Sequence, residues 1–271
     1  MISPSLIGPF GLNVMRVTCS LVLFWSLWLM SKSKAGIQKK DLWRFVACGL
    51  SGVAINQLLF MKGLTLTSTI HASLLMLCTP LLITILAFWV LHEKITVSKI
   101  AGLLLGIGGA VLLITAKEAS GAASTKGDVL IVLNAIAYTI YFILVKPLMS
   151  RYSPVQVIRW VFTFGLIFIL PFGWHEFMTV KWNLFNGFDF FALAFITIAG
   201  SFLAYLFNAY GLQQLGAAIT GAYIYTQPVL AAIIAMIVLH EKFTTLKLLA
   251  GALIFLGVFL VSKKAPPIIE E

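Results

Sequence analysis

The chain has 271 residues, of which 61% are hydrophobic and 10% charged, against roughly 45–50% and about 25% in soluble domains. A soluble fold of this size cannot hide so much apolar surface, which excludes a soluble enzyme, a disordered chain and a secreted disulfide scaffold. The net charge of +10 comes from Lys and Arg in short links between apolar runs, the pattern that orients a membrane protein and meets anionic lipid. No basic stretch interleaved with aromatics lies outside those runs, so no nucleic-acid partner is expected.

A bilayer-crossing helix needs about 20 mostly apolar residues. Nine stretches qualify: 10–30, 42–61, 69–91, 98–116, 127–148, 154–173, 188–210, 217–239 and 246–262. They predict an all-α polytopic membrane protein whose surroundings are the lipid bilayer. The links leave no room for a soluble domain, and only 117–127, with its Ala/Ser/Gly run, is linker-like. Cys19, Cys48 and Cys78 lie inside apolar segments without CxxC spacing and read as small core residues. The N-terminus has neither a charged n-region nor a cleavage site, so no removable signal peptide is expected.

With the C-terminus cytoplasmic, eleven of the nineteen Lys and Arg fall in inner links and six in outer ones. The cluster Lys32, Lys34, Lys39, Lys40 and Arg44 dominates that balance. Nine spans then place residue 1 outside. One more helix upstream would remove that awkwardness.

The chain also repeats itself. Gly63-Leu64, Pro80 and Leu91-His92-Glu93-Lys94 return as Gly211-Leu212, Pro228 and Leu239-His240-Glu241-Lys242, all at a shift of 148. Thr96 and Thr244 keep the shift, and Ala101-Gly102 returns as Ala250-Gly251 after one added residue. Five spans separate the two Leu-His-Glu-Lys copies, so the copies end on opposite sides of the membrane. The expectation is an inverted repeat, 1–116 and 127–271, which lets a carrier expose one midplane site to each side in turn.

These residues resemble the EamA family of the drug/metabolite transporter superfamily. The likeness rests on the opening Pro9 and Arg16, the Gly-Leu turn before a Pro-bearing helix, the Leu-x-Glu-Lys exit, the run Tyr141, Lys146, Pro147, and the Gly-rich closing helices. It implies ten helices in two inverted five-helix repeats, of which nine are visible and the first is missing. It also implies that the visible second, third, fifth, seventh and eighth spans line the cavity, and that solutes move outward.

Polar residues inside spans mark candidate sites, because hydrocarbon penalises them unless they are paired or face a wet cavity. Asn134, Tyr138 and Tyr141 share one helical stripe, as do Tyr205 with Asn208, and Thr220 with Tyr223 and Gln227. Asn56 and Gln57 are adjacent, so only one of them closely faces a shared centre. Two readings fit these stripes, a solute cavity and interhelical hydrogen bonding. No Asp or Glu lies in the middle of a span, which argues against carboxylate-coupled drug/proton exchange. His71 reads either as a pH-sensitive cavity residue or as an interfacial histidine bonded to the adjacent link. Arg16 and Arg159 lie near span starts, where they either snorkel or meet a substrate carboxylate. Pro80 and Pro228, matched in the two halves, are hinge candidates or sites of static curvature.

The function expected is export of small metabolites, amino acids or similar neutral or zwitterionic solutes, across a cytoplasmic membrane by alternating access. Cavity candidates are Asn56, Asn134, Tyr138, Tyr141, Tyr205, Asn208, Tyr223 and Gln227. Alternatives are efflux of lipophilic cations and a non-transporting membrane partner or sensor. Neither cofactor nor metal is expected: no His-x-x-Glu-His or His-Glu-x-x-His spacing and no nucleophile–base constellation supports an enzyme. A homodimer is compatible with this pattern but not specified by it.

Overall fold

In hydrocarbon a backbone finds hydrogen-bond partners only within its own helix or a closed barrel, and every described element of this chain is helical. The computed structural model describes residues 6–30, 36–79, 81–82, 85–86, 97–115, 124–214, 230, 233–234, 236–238, 240 and 244–262. In chain order the helices are α1 (Pro9–Met30), α2 (Leu42–Cys48), α3 (Asn56–Leu64), α4 (Thr69–Met76) and α5 (Val97–Thr115). There follow α6 (Thr125–Met149), α7 (Pro154–Met178), α8 (Gly187–Thr197), α9 (Ala204–Gln214) and α10 (Thr245–Ser262). A π-helical segment, Gly49–Ile55, joins α2 to α3, and another, Ile198–Leu203, joins α8 to α9.

Among the described residues, five rods are long and apolar enough to cross a membrane: Pro9–Met30, Lys39–Leu64, Thr125–Met149, Pro154–Met178 and Gly187–Gly211. Large apolar side chains such as Leu29, Phe172, Phe191, Phe195 and Phe259 stand exposed. Water would oppose that arrangement and lipid tails accept it. The chain is an all-α multi-pass membrane protein.

The helices gather into two units. The first comprises residues 1–62 and 140–220, the second 63–139 and 221–271. Each unit therefore takes segments from both sides of the 117–127 link.

In the first unit α1 runs antiparallel against α7. Phe24 meets Phe162 edge-on, with ring centres 5.1 Å apart, and Gly173 lies so close to the Phe10 carbonyl that a Cβ there would collide with it. Glu176, near the end of α7, accepts hydrogen bonds from the backbone N–H groups of Phe10 (2.8 Å) and Gly11 (2.9 Å). A carboxylate on the orphan donors of a helix start also meets the positive end of that helix's dipole. Ser153 caps α7 ahead of Pro154, and Asn186 and Asp189 form a capping box at α8. The links are tied as well. Asp41 accepts from Arg151 Nη1 at 3.0 Å and from the Tyr152 hydroxyl at 2.8 Å, and Gln156 Nε2 donates to the Gly36 carbonyl at 2.8 Å. Burial and the adjacent Asp41 carboxylate push the Tyr152 phenol up, which keeps it a neutral donor.

In the second unit α5 and α10 pack antiparallel through glycines. A Cβ on Gly102 would lie 2.5 Å from the Gly257 carbonyl oxygen, and one on Gly257 would lie 2.5 Å from that of Gly102. Ser98 Oγ donates to the Leu260 carbonyl at 3.0 Å. Small residues let the two backbones touch, the usual route to helix association without a hydrophobic drive.

Candidate functional site

One group of polar side chains in the first unit gathers around Arg16. Its Nε donates to Ser201 Oγ at 2.9 Å, and its Nη1 lies 3.6 Å from Met61 Sδ. Beside it Asn13 Nδ2 donates to the Gln57 carbonyl at 3.0 Å, and Gln57 Nε2 donates to the Tyr205 hydroxyl at 3.2 Å. Asn13 is 0% exposed and Ser201 1%. Two acceptors here, Asn13 Oδ1 and Gln57 Oε1, are buried and have no donor among the described residues. Arg16 makes no ion pair with a carboxylate among the described residues.

Local backbone geometry places these groups. Both π segments directly precede site residues: Gly49–Ile55 leads into Asn56 and Gln57, while Ile198–Leu203 contains Ser201 and leads into Tyr205. A π segment inserts an extra residue into the helical register and turns the following side chains to a new face. Ser201 Oγ also donates to the Ile196 carbonyl five residues back, at 3.3 Å, the spacing that segment opens. Gln57 and Tyr205 are 148 residues apart, the offset of the sequence repeat, so two equivalent positions touch each other.

A second polar cluster lies in the second unit. Asp128, 1% exposed, receives a hydrogen bond from Thr67 Oγ1 and stands 3.1 Å from His71 Nδ1. Ser68 caps α4 by accepting from the His71 backbone N–H at 3.2 Å. His71 is therefore a buried partner of an aspartate 57 residues on. Asp128 stands at the fourth position of α6, near a span end as its place in the sequence indicates, yet it is enclosed.

The sequence candidates distribute unevenly over this geometry. Tyr205 belongs to the Arg16 cluster, and Asn56 is buried at the start of α3. Of the neighbouring pair it is Gln57 that reaches Tyr205. Asn134 and Tyr138 fall in the second unit and Tyr141 in the first, where its ring packs on Gly52. Asn208 is exposed on α9. Tyr223, Gln227, Pro80 and Pro228 lie outside the described residues, as do His92 and its neighbours. The sequence alone does not single out Asn13 or Ser201, it takes Asn56 from the pair in which Gln57 makes the contact, and it leaves Arg16 between a snorkelling cation and a partner for a substrate carboxylate. Two signals were available: a cation within an apolar run, and a Gln and a Tyr one repeat offset apart.

Helices of spanning length, exposed apolar surfaces and a polar centre around Arg16 within one unit define a polytopic membrane protein. The chain belongs to the EamA-like transporter family, whose profile matches residues 2–115 and again 125–263. It is similar to the uncharacterized transporter YetK of Bacillus subtilis (strain 168), 26% identical over 93% of this chain and 79% of the relative. It is also similar to a probable terminal-alkyne amino-acid exporter of Streptantibioticus cattleyicolor, 26% identical over 95% of this chain and 85% of that protein. A solved crystal structure superposes with a TM-score of 0.62 at 19% identity, covering 94% of this chain and 87% of the other, a likeness of fold. The family and these named relatives are transporters.

Proposed function

We propose that the chain carries small zwitterionic solutes of amino-acid type outward across a cytoplasmic membrane by alternating access. The observation that carries this reading is the Arg16 guanidinium, held by Ser201 and Met61 with no carboxylate paired to it among the described residues. A charge in hydrocarbon calls for an opposite charge, and a solute carboxylate supplies one. Asn13 Oδ1 and Gln57 Oε1 are acceptors suited to the ammonium end of the same solute, with Tyr205 beside them. A lipophilic cation would meet like charge at Arg16, which disfavours the drug-efflux alternative.

The amino-acid exporter among the relatives supports the solute class and the direction. Two successive profile matches, together with π segments about one repeat offset apart, support the inverted repeats 1–116 and 127–271. The excess of Lys and Arg in alternate links supports a cytoplasmic C-terminus.

The test is flux in proteoliposomes with labelled neutral amino acids, with and without a pH gradient. The expected result is saturable flux, competed by other amino acids and not by the corresponding amines without a carboxylate. Flux of cationic dyes with none of amino acids would reverse the assignment.

A further inference from the structure

Arg159 projects from the second turn of α7, and only 1% of it is exposed. Its Cζ lies 4.5 Å from the ring centre of Trp25, 4.4 Å from that of Trp28 and 5.7 Å from that of Trp160. Trp25 is satisfied: its Nε1 donates to Thr163 Oγ1 at 3.3 Å, and that hydroxyl donates to the Arg159 carbonyl at 2.8 Å. The remaining donors are not. Arg159 Nε and Nη1, Trp28 Nε1 and Trp160 Nε1 are all buried without a hydrogen-bond partner among the described residues. Stacking on indoles satisfies the faces of a guanidinium and leaves its in-plane N–H groups wanting an acceptor. Four unmet donors, two of them on the fork of a permanent cation, specify an oxyanion.

We propose that this cage binds the phosphate of an anionic phospholipid. Depth is the first argument. Arg159 stands five residues beyond Pro154, and Trp25 and Trp28 stand five and two residues before Met30. At 1.5 Å per residue these offsets amount to about 3–8 Å from the helix ends, the headgroup zone in which tryptophans collect.

Access is the second argument. The three tryptophans are only half-buried, and Val22, Leu29 and Ile167 nearby on the same two helices present exposed apolar side chains suited to acyl chains. Charge is the third. The sequence between α1 and α2 contains Lys32, Lys34, Lys39 and Lys40, with Arg44 in the first turn of α2, and a basic run beside a span draws anionic lipid. An Arg fork takes two phosphate oxygens at once, and the Trp28 and Trp160 indoles supply further donors.

The cage is not part of the solute site. Arg16 precedes Trp25 by nine residues and Trp28 by twelve on the same helix, about 14–18 Å along the axis. An amino acid cannot touch both. The lipid site therefore stands or falls independently of the solute assignment.

The test is native mass spectrometry of the purified full chain in mild detergent. It is titrated with phosphatidylglycerol, phosphatidylcholine, inorganic phosphate and leucine in turn. The wild type is expected to retain phosphatidylglycerol over phosphatidylcholine. Arg159→Gln should weaken that binding about tenfold, the loss of a charge-assisted contact, and Arg159→Lys less. The paired substitution Trp28→Phe with Trp160→Phe keeps the aromatic stack and removes two donors, so it should weaken phosphatidylglycerol several-fold in a folded protein. Equal retention of both lipids by the wild type overturns the proposal, and so does phosphatidylglycerol binding that the paired Trp variant leaves unchanged. Binding of phosphate or leucine through Arg159 without the lipid makes it a site for a free anion instead.

Discussion

Replacing Arg16 gives the sharpest probe of the solute site, because its effect can be separated by the chemistry of the solute. Ser201 and Met61 engage two of its nitrogens, and a guanidinium has five N–H donors, so donors remain for a carboxylate. Hydrogen bonds to charged groups contribute about 1.5–3 kcal/mol each. At about 1.4 kcal/mol per factor of ten, Arg16→Gln is expected to raise KM for a neutral amino acid by about 10- to 150-fold. Arg16→Lys keeps the charge and loses the fork, so its KM should fall between the two. The assay is initial-rate flux in proteoliposomes, run in parallel on each amino acid and on its carboxamide. The carboxamide should be a poor solute for the wild type and indifferent to the substitution, and the variants should elute as monodisperse protein. An unchanged KM for the amino acid refutes the assignment. So does an equal loss for the carboxamide, since Arg16 would then act on the fold and not on the carboxylate.

Two further outcomes follow from the second unit. Asp128→Asn removes the charge that His71 and Thr67 enclose and should destabilise the protein by about 1–3 kcal/mol in reversible detergent unfolding. A double-mutant cycle with His71→Ala that shows no coupling would dissolve the pair as an energetic unit. Gly257→Leu drives a side chain into the Gly102 carbonyl and the backbone of Gly106, 2.5 and 2.6 Å from a Cβ. Backbone cannot yield as a side-chain tip can, so α5 and α10 must separate, at a loss of about 1–3 kcal/mol or more. A thermal midpoint unchanged from the wild type would show that the glycines are not what holds that pair.

The spans were legible in the sequence because hydrocarbon enforces them: a run of apolar residues about 20 long has to be helical, with backbone groups satisfied internally. The expected stretches 10–30, 127–148 and 154–173 became Pro9–Met30, Thr125–Met149 and Pro154–Met178. Family membership was legible too, since it rested on ordered and repeated motifs.

Which polar residues meet was not legible. Helical periodicity grouped Tyr205 with Asn208, and the two do share one helix, α9, at that spacing. Tyr205 turns to Gln57, and Asn208 is left exposed. Arg16 and Arg159 look alike in the sequence, each a cation near a span start. Only packing separates them, one among amide and hydroxyl groups and the other under three indoles. Asp128 and His71 each sit at a span end and meet only because the turn at 65–68 docks on the start of α6, where the Ser124 N–H donates to the Leu66 carbonyl at 3.0 Å. Hydrophobicity acts on each segment by itself and is written along the chain. Hydrogen-bond partners depend on which faces of distant helices are brought together, and the tertiary structure alone decides that.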